Sequence, residues 1–488
     1  MEIGGDKFGF RDKGERFVVA DEQLWPCGVA RSVRFGISLG QEAPGVARLL
    51  APAWWYGTCG DGWPGGYLPV ADASEDYIDD SLAFTLARKG GRCEGRFDDS
   101  VTGWEREGES SYAEFLHAYR KQSAHYYQIA MRDTYHLADI AFDHASGTVR
   151  MHNYPFDGSF SLPMMRNLGV FFGYLETGDP YLLNVARIIA ERFYQIHLMN
   201  WPRYSIGRDA IAVRGLIFLG QYLGEDLYMK KAREILHHVA LVQRPDGSFS
   251  DQGGGVGVHA AGYLCSKPWM ANLANEAVID YLETAGRDLE LEEELVRYGA
   301  YLMQHGPDVL GDACWPYQTH YAGGAFDPVR EFFKTGNGTL PDTKPQVMGH
   351  KARALIFLTK QTRDPRYWNA WRAFVERHWI DKEIDRGIHP ATRLLQSIPY
   401  AAAHSWNARW NSDGTLSVAP LLTERFPELT GSIQTPRGEI ALHARWDRKT
   451  GEITVSLDQI ASSSLPPQVK ANQPGLDGIQ VRKDWLLI

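Results

Sequence analysis

Four times along the chain, a mostly apolar segment is followed, after a short polar turn, by a segment with charges on one side. The first two pairs are SLPMMRNLGVFFGYLETGD with PYLLNVARIIAERFYQIHL, and RDAIAVRGLIFLGQYLGED with LYMKKAREILHHVALVQ. The other two are KPWMANLANEAVIDYLETAGRD with LELEEELVRYGAYLMQH, and PQVMGHKARALIFLTKQTRD with PRYWNAWRAFVERHW. Apolar residues at helical spacing indicate helices. The pattern therefore predicts four helical hairpins, each with an apolar first helix and an amphipathic second helix.

The turn inside each hairpin is short and carries helix stop and start signals. YLETGDPYLLNVA begins at Tyr174, and YLETAGRDLELEEEL repeats its first four letters from Tyr281. Glycine suits the C-cap, Asp the N-cap and Pro the first helical position. The connections between hairpins are instead long, glycine-rich and aromatic. All of the long connections are therefore predicted to lie at one end of the assembly, and a pocket is predicted there.

Hairpins of this kind are predicted to close into a ring with two concentric helix layers. An open solenoid is less favoured because its repeats are shorter and more uniform in length. The upstream segment AEFLHAYRKQSAHYYQIAMRDTYHLADIAFDH is predicted as a helix, and with TRLLQSIPYAAAHSWN it would supply parts of two more hairpins. Short strands such as RFVVA precede the helices, and GSIQTPRGEIALHARWDRKTGEITVSL predicts a β-hairpin near the end of the chain.

This arrangement resembles the (α/α)6-toroid carbohydrate-active enzymes, the six-hairpin glycosidase superfamily, over residues 105–450. The resemblance implies a mainly α fold: an (α/α)6 toroid of helical hairpins with small β elements at the N-terminus and a C-terminal β domain. The expected division is 1–100 for an N-terminal β/loop segment, 101–425 for the toroid and 426–488 for the β domain. Sugar chemistry is the function that such a fold implies.

Charge and composition indicate which classes of partner the protein is not expected to bind. The 488 residues carry a formal net charge of −9, which argues against nucleic acid because phosphate-backbone binding needs concentrated positive charge. No signal peptide and no membrane-spanning run is recognisable, so a cytoplasmic protein without a membrane partner is expected. The five cysteines are scattered without a CxxC pair, which indicates reduced thiols, and neither a metal nor another cofactor is expected. No pattern predicts the oligomeric state.

Aromatic residues point to the partner that is expected. They make up 12% of the chain, and many lie in the loops WWYGTCGDGWPGGY, MHNYPFDGSF, NWPRYSIGRD and CWPYQTHYAGG. An aromatic ring in a loop either packs against the core or offers a flat apolar face to a ligand. Several such loops together favour a carbohydrate substrate.

The leading hypothesis is an exo-acting glycoside hydrolase on short oligosaccharides that contain uronic acid. Hydrolysis needs a protonated carboxyl group and usually a second carboxylate. Asp209, in PRYSIGRDAIAVRG, is predicted as the acid because an adjoining apolar helix would raise its pKa, although a helix N-cap role is the alternative. Asp157 or Asp251 is predicted as the second carboxylate, with turn roles as the alternative. Glu105 and Glu276 are weaker candidates.

The resemblance adds one correspondence. Unsaturated glucuronyl and rhamnogalacturonyl hydrolases carry an essential Asp in an Arg/Asp loop that enters an inner helix, and Arg208 with Asp209 occupies a similar place here. Cations at the starts of first helices would bind a uronate carboxylate. The predicted substrate-binding residues are Asn153, Arg166, Tyr204, Arg208, His259, Lys267, Trp269, His320 and Tyr321, with Lys344 as a further cation.

Three alternatives remain open. A lyase would use His152 or Tyr154 to abstract a proton, while Asn153 and Arg166 neutralise the carboxylate. A sugar epimerase would rely on pocket histidines, for which the chain offers His152, His259, His320 and His350. A non-catalytic helical-repeat binding protein would need no such residues.

Overall fold

The structure is a computed structural model, and its described part is centred on the helices. The described residues are 2–4, 7–12, 15–20, 50–51, 55–56, 70–71, 109–149, 162–201, 210–249, 264–266, 268–306, 319–321, 352–374, 396, 400, 404, 409–410, 416–418, 420–423, 426–435, 438–459 and 469–471.

Ten α-helices lie within these residues and form five consecutive hairpins. They are α1 (Ser110–Lys121), α2 (Ala124–His136), α3 (Leu168–Thr177), α4 (Pro180–Asn200), α5 (Val213–Leu223), α6 (Asp226–Val242), α7 (Pro268–Ala285), α8 (Leu289–Gln304), α9 (Ala352–Thr362) and α10 (Pro365–Phe374). The four hairpins predicted from the sequence are all present, as α3–α4, α5–α6, α7–α8 and α9–α10.

The turns within the hairpins follow the predicted capping chemistry. Gly178 ends α3 with φ +67°, and the Asp179 side chain accepts a hydrogen bond from the Tyr181 N–H at the start of α4. Gly224 ends α5 in the same left-handed conformation. Arg363 takes this conformation after α9, with φ 59°. The repeated sequence phrase therefore marks the tight end of a hairpin.

The prediction of one long upstream helix is wrong, because the structure divides this segment into the two helices α1 and α2. Gln122 has φ 51° and ends α1, and Ser123 then caps α2 by accepting a hydrogen bond from the Tyr126 N–H. A π-helical turn, Leu137–Ala141, follows α2. The segment is thus a fifth hairpin rather than one long helix.

The first helix of each hairpin lies inside and the second lies outside. All of the first eight residues of α5 are buried, whereas α6 buries only one face. Small residues let inner helices approach closely: a Cβ on Gly169 of α3 would lie 1.7 Å from the Ser111 Oγ of α1. The odd-numbered helices are therefore called the inner helices below.

The inner helices surround a common centre. The Tyr112 ring of α1 lies 5.0 Å from the Phe172 ring of α3 and 6.0 Å from the Phe218 ring of α5. Burial raises the pKa of Tyr112, and the positive charges of Arg214 in α5 and Arg353 in α9 oppose that rise. The Arg214 guanidinium lies 5.5 Å from the centre of the Tyr112 ring. Asp280 of α7 hydrogen-bonds both Arg214 and Arg353. Since these contacts bring the first, third, fourth and fifth hairpins to one centre, the hairpins curve into a ring. The predicted toroid is confirmed, and an open solenoid is not.

The β elements are small and lie on both sides of the helices in sequence. The described strands are β1 (Glu2–Gly4), β2 (Lys7–Asp12), β3 (Glu15–Ala20), β4 (Val70–Ala71), β5 (Phe142–Asp143), β6 (Thr148–Val149), β7 (Leu264–Ser266), β8 (Thr319–Tyr321), β9 (Arg409–Trp410), β10 (Leu416–Val418), β11 (Glu428–Thr435), β12 (Gly438–Trp446), β13 (Ile453–Gln459) and β14 (Val469–Ala471). The predicted hairpin is β12–β13, which pairs antiparallel around Asp447–Glu452.

Early and late parts of the chain share one sheet. Its strand order is β13-β12-β11-β4, so Val70–Ala71 pairs with β11. The expected boundaries after residues 100 and 425 remain predictions. Among the helices of the described part, none is long and apolar enough to cross a membrane.

Candidate active site

The described residues include few of the predicted site residues. His152, Asn153, Tyr154, Asp157, Tyr204, Arg208, Asp209, Asp251, His259 and Lys267 lie outside them, as do Glu105, Lys344 and His350. Arg166 is described with its side chain, and Trp269, His320 and Tyr321 are described by their backbone. The roles of all these residues therefore remain predictions.

Two long connections meet beside inner helix α7. Strand β7, just before α7, pairs antiparallel with β8 in the connection between α8 and α9, with Cys265 opposite His320 and Leu264 opposite Tyr321. Because α7 begins at Pro268, the backbone of His320 and Tyr321 is brought to the helix that carries Trp269. This pairing agrees with the expectation that the long connections share one end of the ring.

Arg166 lies in a small cavity between the starts of α1 and α3. The side chain is buried, and Glu109, Ser110 and Asp133 line the same cavity. The Leu168 N–H donates to the Glu109 Oε1 at 3.1 Å, and the Ser110 hydroxyl donates to the Asp133 Oδ2 at 3.1 Å. A structural role for Arg166 near these two carboxylates therefore competes with its predicted binding of a uronate.

A group of buried charges at the centre of the ring links three inner helices. We call Arg214, Glu276, Asp280, Glu283 and Arg353 the axial cluster. Asp280 of α7 is fully buried, and its Oδ2 accepts a hydrogen bond from the Arg214 Nε of α5 at 2.5 Å. Its Oδ1 accepts one from the Arg353 guanidinium of α9. Each carboxylate oxygen thus binds a different arginine on a different helix.

The two arginines also reach other polar groups. Arg214 donates to the Gln396 Oε1 at 2.9 Å, and it forms an ion pair with the Glu276 Oε2 at 3.6 Å. Arg353 lies 3.6 Å from the Glu283 Oε2. Three carboxyl groups and two guanidinium groups therefore share one buried site, where each charge depends on its partners because water is excluded.

Glu283 is the titratable member of the cluster. The Tyr400 hydroxyl donates to its Oε1 at 2.7 Å, and the His404 Nε2 lies 3.6 Å from the same oxygen. Burial raises the pKa of Glu283 to about 7, although Arg353 and the Tyr400 hydroxyl oppose the rise. Burial also lowers the pKa of His404, so this imidazole is neutral at pH 7. The Glu283 carboxyl group is therefore able to exchange a proton near neutral pH.

The positions of these residues along their helices show where the axial cluster lies between the two ends of the ring. Arg214 and Arg353 are the second residues of α5 and α9, whereas Asp280 is the thirteenth residue of α7. At about 1.5 Å per residue, the part of α7 before Asp280 extends roughly 18 Å beyond that level. It extends toward the N-terminal ends of the inner helices, where the long connections lie. This projecting part carries Asn272, Asn275 and Glu276, all fully buried.

The sequence contains a signal for this cluster in two near repeats and in the spacing of acidic residues. VRGLIFLG in α5 and ARALIFLT in α9 are near repeats, and Arg214 and Arg353 each stand ten residues before the left-handed residues Gly224 and Arg363. In NEAVIDYLE, acidic residues recur at i, i+4 and i+7 within a mostly apolar helix. Such charges need buried partners. Glu276, a weaker candidate in the sequence, lies within the cluster.

Comparisons with known proteins find similarity in solved structures alone, since no family model and no curated protein matches the chain. An unsaturated glucuronyl hydrolase specific for heparin is 12% identical, with a TM-score of 0.47 over 67% of this chain and 97% of that one. The unsaturated glucuronyl hydrolase of Bacillus sp. GL1 is 12% identical, with a TM-score of 0.45 over 67% and 96%.

A cellobiose 2-epimerase from Bacillus thermoamylovorans B4167 is 11% identical, with a TM-score of 0.43 over 56% of this chain and 75% of that chain. These similar structures are of proteins with different activities, two hydrolases and an epimerase. Because the TM-scores lie below 0.5, no residue role is transferred from these proteins.

Proposed function

We propose that the protein is an exo-acting glycoside hydrolase of short oligosaccharides that contain uronic acid. The observation that carries the proposal is the polar face of α7, which leads from the axial cluster to the end of the ring where β7 and β8 pair. Burying charges inside a helical ring is unfavourable for stability. Enzymes retain such groups where a site needs ordered charges and shifted pKa values.

Asp209 is proposed as the proton donor to the glycosidic oxygen. Its neighbour Ala210 begins a 3-10 turn, Ala210–Ala212, that is buried and packs against α7. An acid beside this apolar turn, at the same end as the projecting part of α7, would have a raised pKa. Asp157 or Asp251 would activate water or attack the sugar, and Arg208 and Lys267 would bind the uronate carboxylate. The distance between the Asp209 carboxyl group and the second carboxylate would determine whether the reaction retains or inverts the anomeric configuration.

The test is product analysis on acidic disaccharides, each prepared with a saturated and an unsaturated uronate. Ultraviolet absorbance follows the unsaturated ring, and reducing ends are counted in parallel. Hydrolysis releases reducing ends and lowers the absorbance of the unsaturated substrates. Asp209→Asn is expected to lower kcat/KM by about 100-fold or more, as for loss of a general acid. Asp226→Asn, an exposed residue at the start of α6, is the matched control.

Other outcomes contradict the proposal in different ways. Rising absorbance on saturated substrates would indicate elimination and would transfer the chemistry to His152 and Tyr154. Release of reducing ends without any preference for acidic sugars would remove the uronate from the proposal. No reaction on any substrate, or an Asp209→Asn variant as active as the wild type, would overturn the proposed mechanism.

A further inference from the structure

Two asparagines on the projecting part of α7 have side-chain amides without a hydrogen-bond partner among the described residues. Asn272 and Asn275 are fully buried, and neither side-chain amide has a hydrogen-bond partner in the part of the chain that the structure describes. Buried amides are nearly always hydrogen-bonded, because an unmade bond destabilises the fold. Two such groups within one helical turn therefore indicate a role other than stability.

The position of these amides connects them to the proposed active site. Asn272, Glu276 and Asp280 follow one another at i, i+4 and i+8, so they share one face of α7. Asp280 marks this face as the one toward the ring axis, because it binds α5 and α9 together. Asn275 adjoins Asn272 at i+3. At 3.6 residues per turn, Asn275 lies about one and a half turns and Asn272 about two turns nearer the long connections than Asp280 and its two arginines.

The chemistry of the group suits sugar hydroxyls. An amide donates and accepts hydrogen bonds at once, and a carboxylate such as that of Glu276 accepts them. Vicinal hydroxyls of a pyranose need both kinds of partner. Asn272, Asn275 and Glu276 bring no cation, so they would not select a uronate carboxylate. Arg214, 3.6 Å from the Glu276 Oε2, is already hydrogen-bonded to Asp280.

We propose that Asn272, Asn275 and Glu276 form a subsite for the neutral sugar unit of the substrate, and this rests on the proposed function. The substrate is then a disaccharide or longer, with a uronate held by the predicted cations and a neutral pyranose held by the amides. Both amides are covered in the unbound chain, so the sugar must displace the groups that cover them. Binding is accordingly accompanied by a structural change at this end.

The test combines a stability measurement with binding of two probes. The probes are a glucuronyl-glucose disaccharide and the methyl glycoside of the same uronate, which lacks the neutral ring. Each variant is made in the Asp209→Asn background. Binding of the probes is measured by calorimetry, and the melting temperature is measured without ligand. Asn272→Leu keeps the branched shape and the number of side-chain heavy atoms, and it removes the amide. It is expected to leave the melting temperature equal or higher, to weaken the disaccharide at least tenfold, and to leave the methyl glycoside unchanged.

Asn275→Leu is expected to act in the same way, and Asn200→Leu is the control. The Asn200 amide, exposed at the end of α4, donates to the Ile196 carbonyl. A lower melting temperature with unchanged binding would make the amides structural and overturn the subsite alone. Equal weakening of both probes would overturn its assignment to the neutral ring. If the background protein binds neither probe, the proposed function and the subsite fail together.

Discussion

At the scale of single residues, Glu294 shows how burial makes stability depend on pH. It lies fully buried in outer helix α8, and neither carboxylate oxygen has a hydrogen-bond partner among the described residues. Burial raises its pKa from 4.5 to about 8, and the charge of Arg297 opposes the rise only in part. Below pH 4.5 the folded and unfolded chains are both protonated at this group. Between pH 4.5 and 8 the unfolded chain alone releases the proton, so the free energy of unfolding falls as pH rises.

Glu294→Gln is therefore expected to stabilise the protein, and increasingly so from pH 5 to pH 8. The gain should approach about 1.4 kcal/mol for each pH unit at most, the free-energy equivalent of one pKa unit. Urea unfolding at several pH values measures it. Glu293→Gln is the control, since the Glu293 side chain is exposed on the same helix. A difference between wild type and Glu294→Gln that stays constant with pH would show that Glu294 is not protonated in the folded chain.

The candidate site could be predicted from sequence only in part at this scale. Arg166 was predicted as a site residue because it lies near the start of a helix. Glu276 was predicted because it is an acidic residue in an apolar helix. Asp280 and Arg353 were not, because nothing local tells which face of a helix meets the ring axis. That face is determined by how five hairpins pack, and the bond between Asp280 and Arg353 spans 73 positions of the chain.

At the scale of elements, the residues at the hairpin turns differ in how well they suit a left-handed backbone conformation. Gly178 and Arg363 both take the left-handed conformation, with φ values of 67° and 59°. A side chain strains this conformation by about 1–2 kcal/mol, and glycine does not. Arg363→Gly is expected to raise the free energy of unfolding by up to about 1 kcal/mol, since the flexibility of glycine in the unfolded chain offsets part of the relief.

Gly178→Ala is the matched test in the opposite direction. Among the described residues, apart from its chain neighbours, no heavy atom lies within 4 Å of the position that its Cβ would take, so strain is what the substitution measures. A loss of about 1 kcal/mol is expected in urea unfolding. If Arg363→Gly lowers stability while Gly178→Ala also lowers it, the Arg363 side chain contributes contacts that exceed its strain.

The sequence predicted hairpins well where glycine or aspartate marked the turn, and missed one where neither did. In α3–α4, Gly178 and Asp179 signal the end of one helix and the start of the next. In α1–α2, Gln122 takes the left-handed conformation, although its sequence neighbours continue a helical pattern. Glutamine rarely adopts this conformation, so the local signal for a break was Ser123, a favoured N-cap residue that caps α2.

At the scale of the whole molecule, Asp280 holds the ring together. It is the one carboxylate of the axial cluster that hydrogen-bonds two arginines from different helices, as far as the described residues show. Asp280→Asn would remove the carboxylate that both buried guanidinium groups share, leaving Arg214 with Glu276 and Arg353 with Glu283, each at 3.6 Å. The expected loss in free energy of unfolding is about 3–5 kcal/mol. Asp364→Asn, which breaks a pair with the exposed Arg366, should cost at most about 1 kcal/mol.

A closed ring and an open array of hairpins differ in which helices are destabilised when one contact is lost. In an open array each hairpin depends on its neighbours alone, so the terminal hairpins open first. In the ring, Tyr112 of α1 and Arg353 of α9 share the buried centre, so α1 and α9 should open together in the global transition. Hydrogen exchange with mass spectrometry, in increasing denaturant, measures the free energy of opening for each helix. Asp280→Asn is expected to lower it equally in α1, α5 and α9, whereas Asp364→Asn should lower it by at most about 1 kcal/mol in each of them. Protection that declines stepwise from α5 toward α1 would instead require an array in which the first and fifth hairpins are independent.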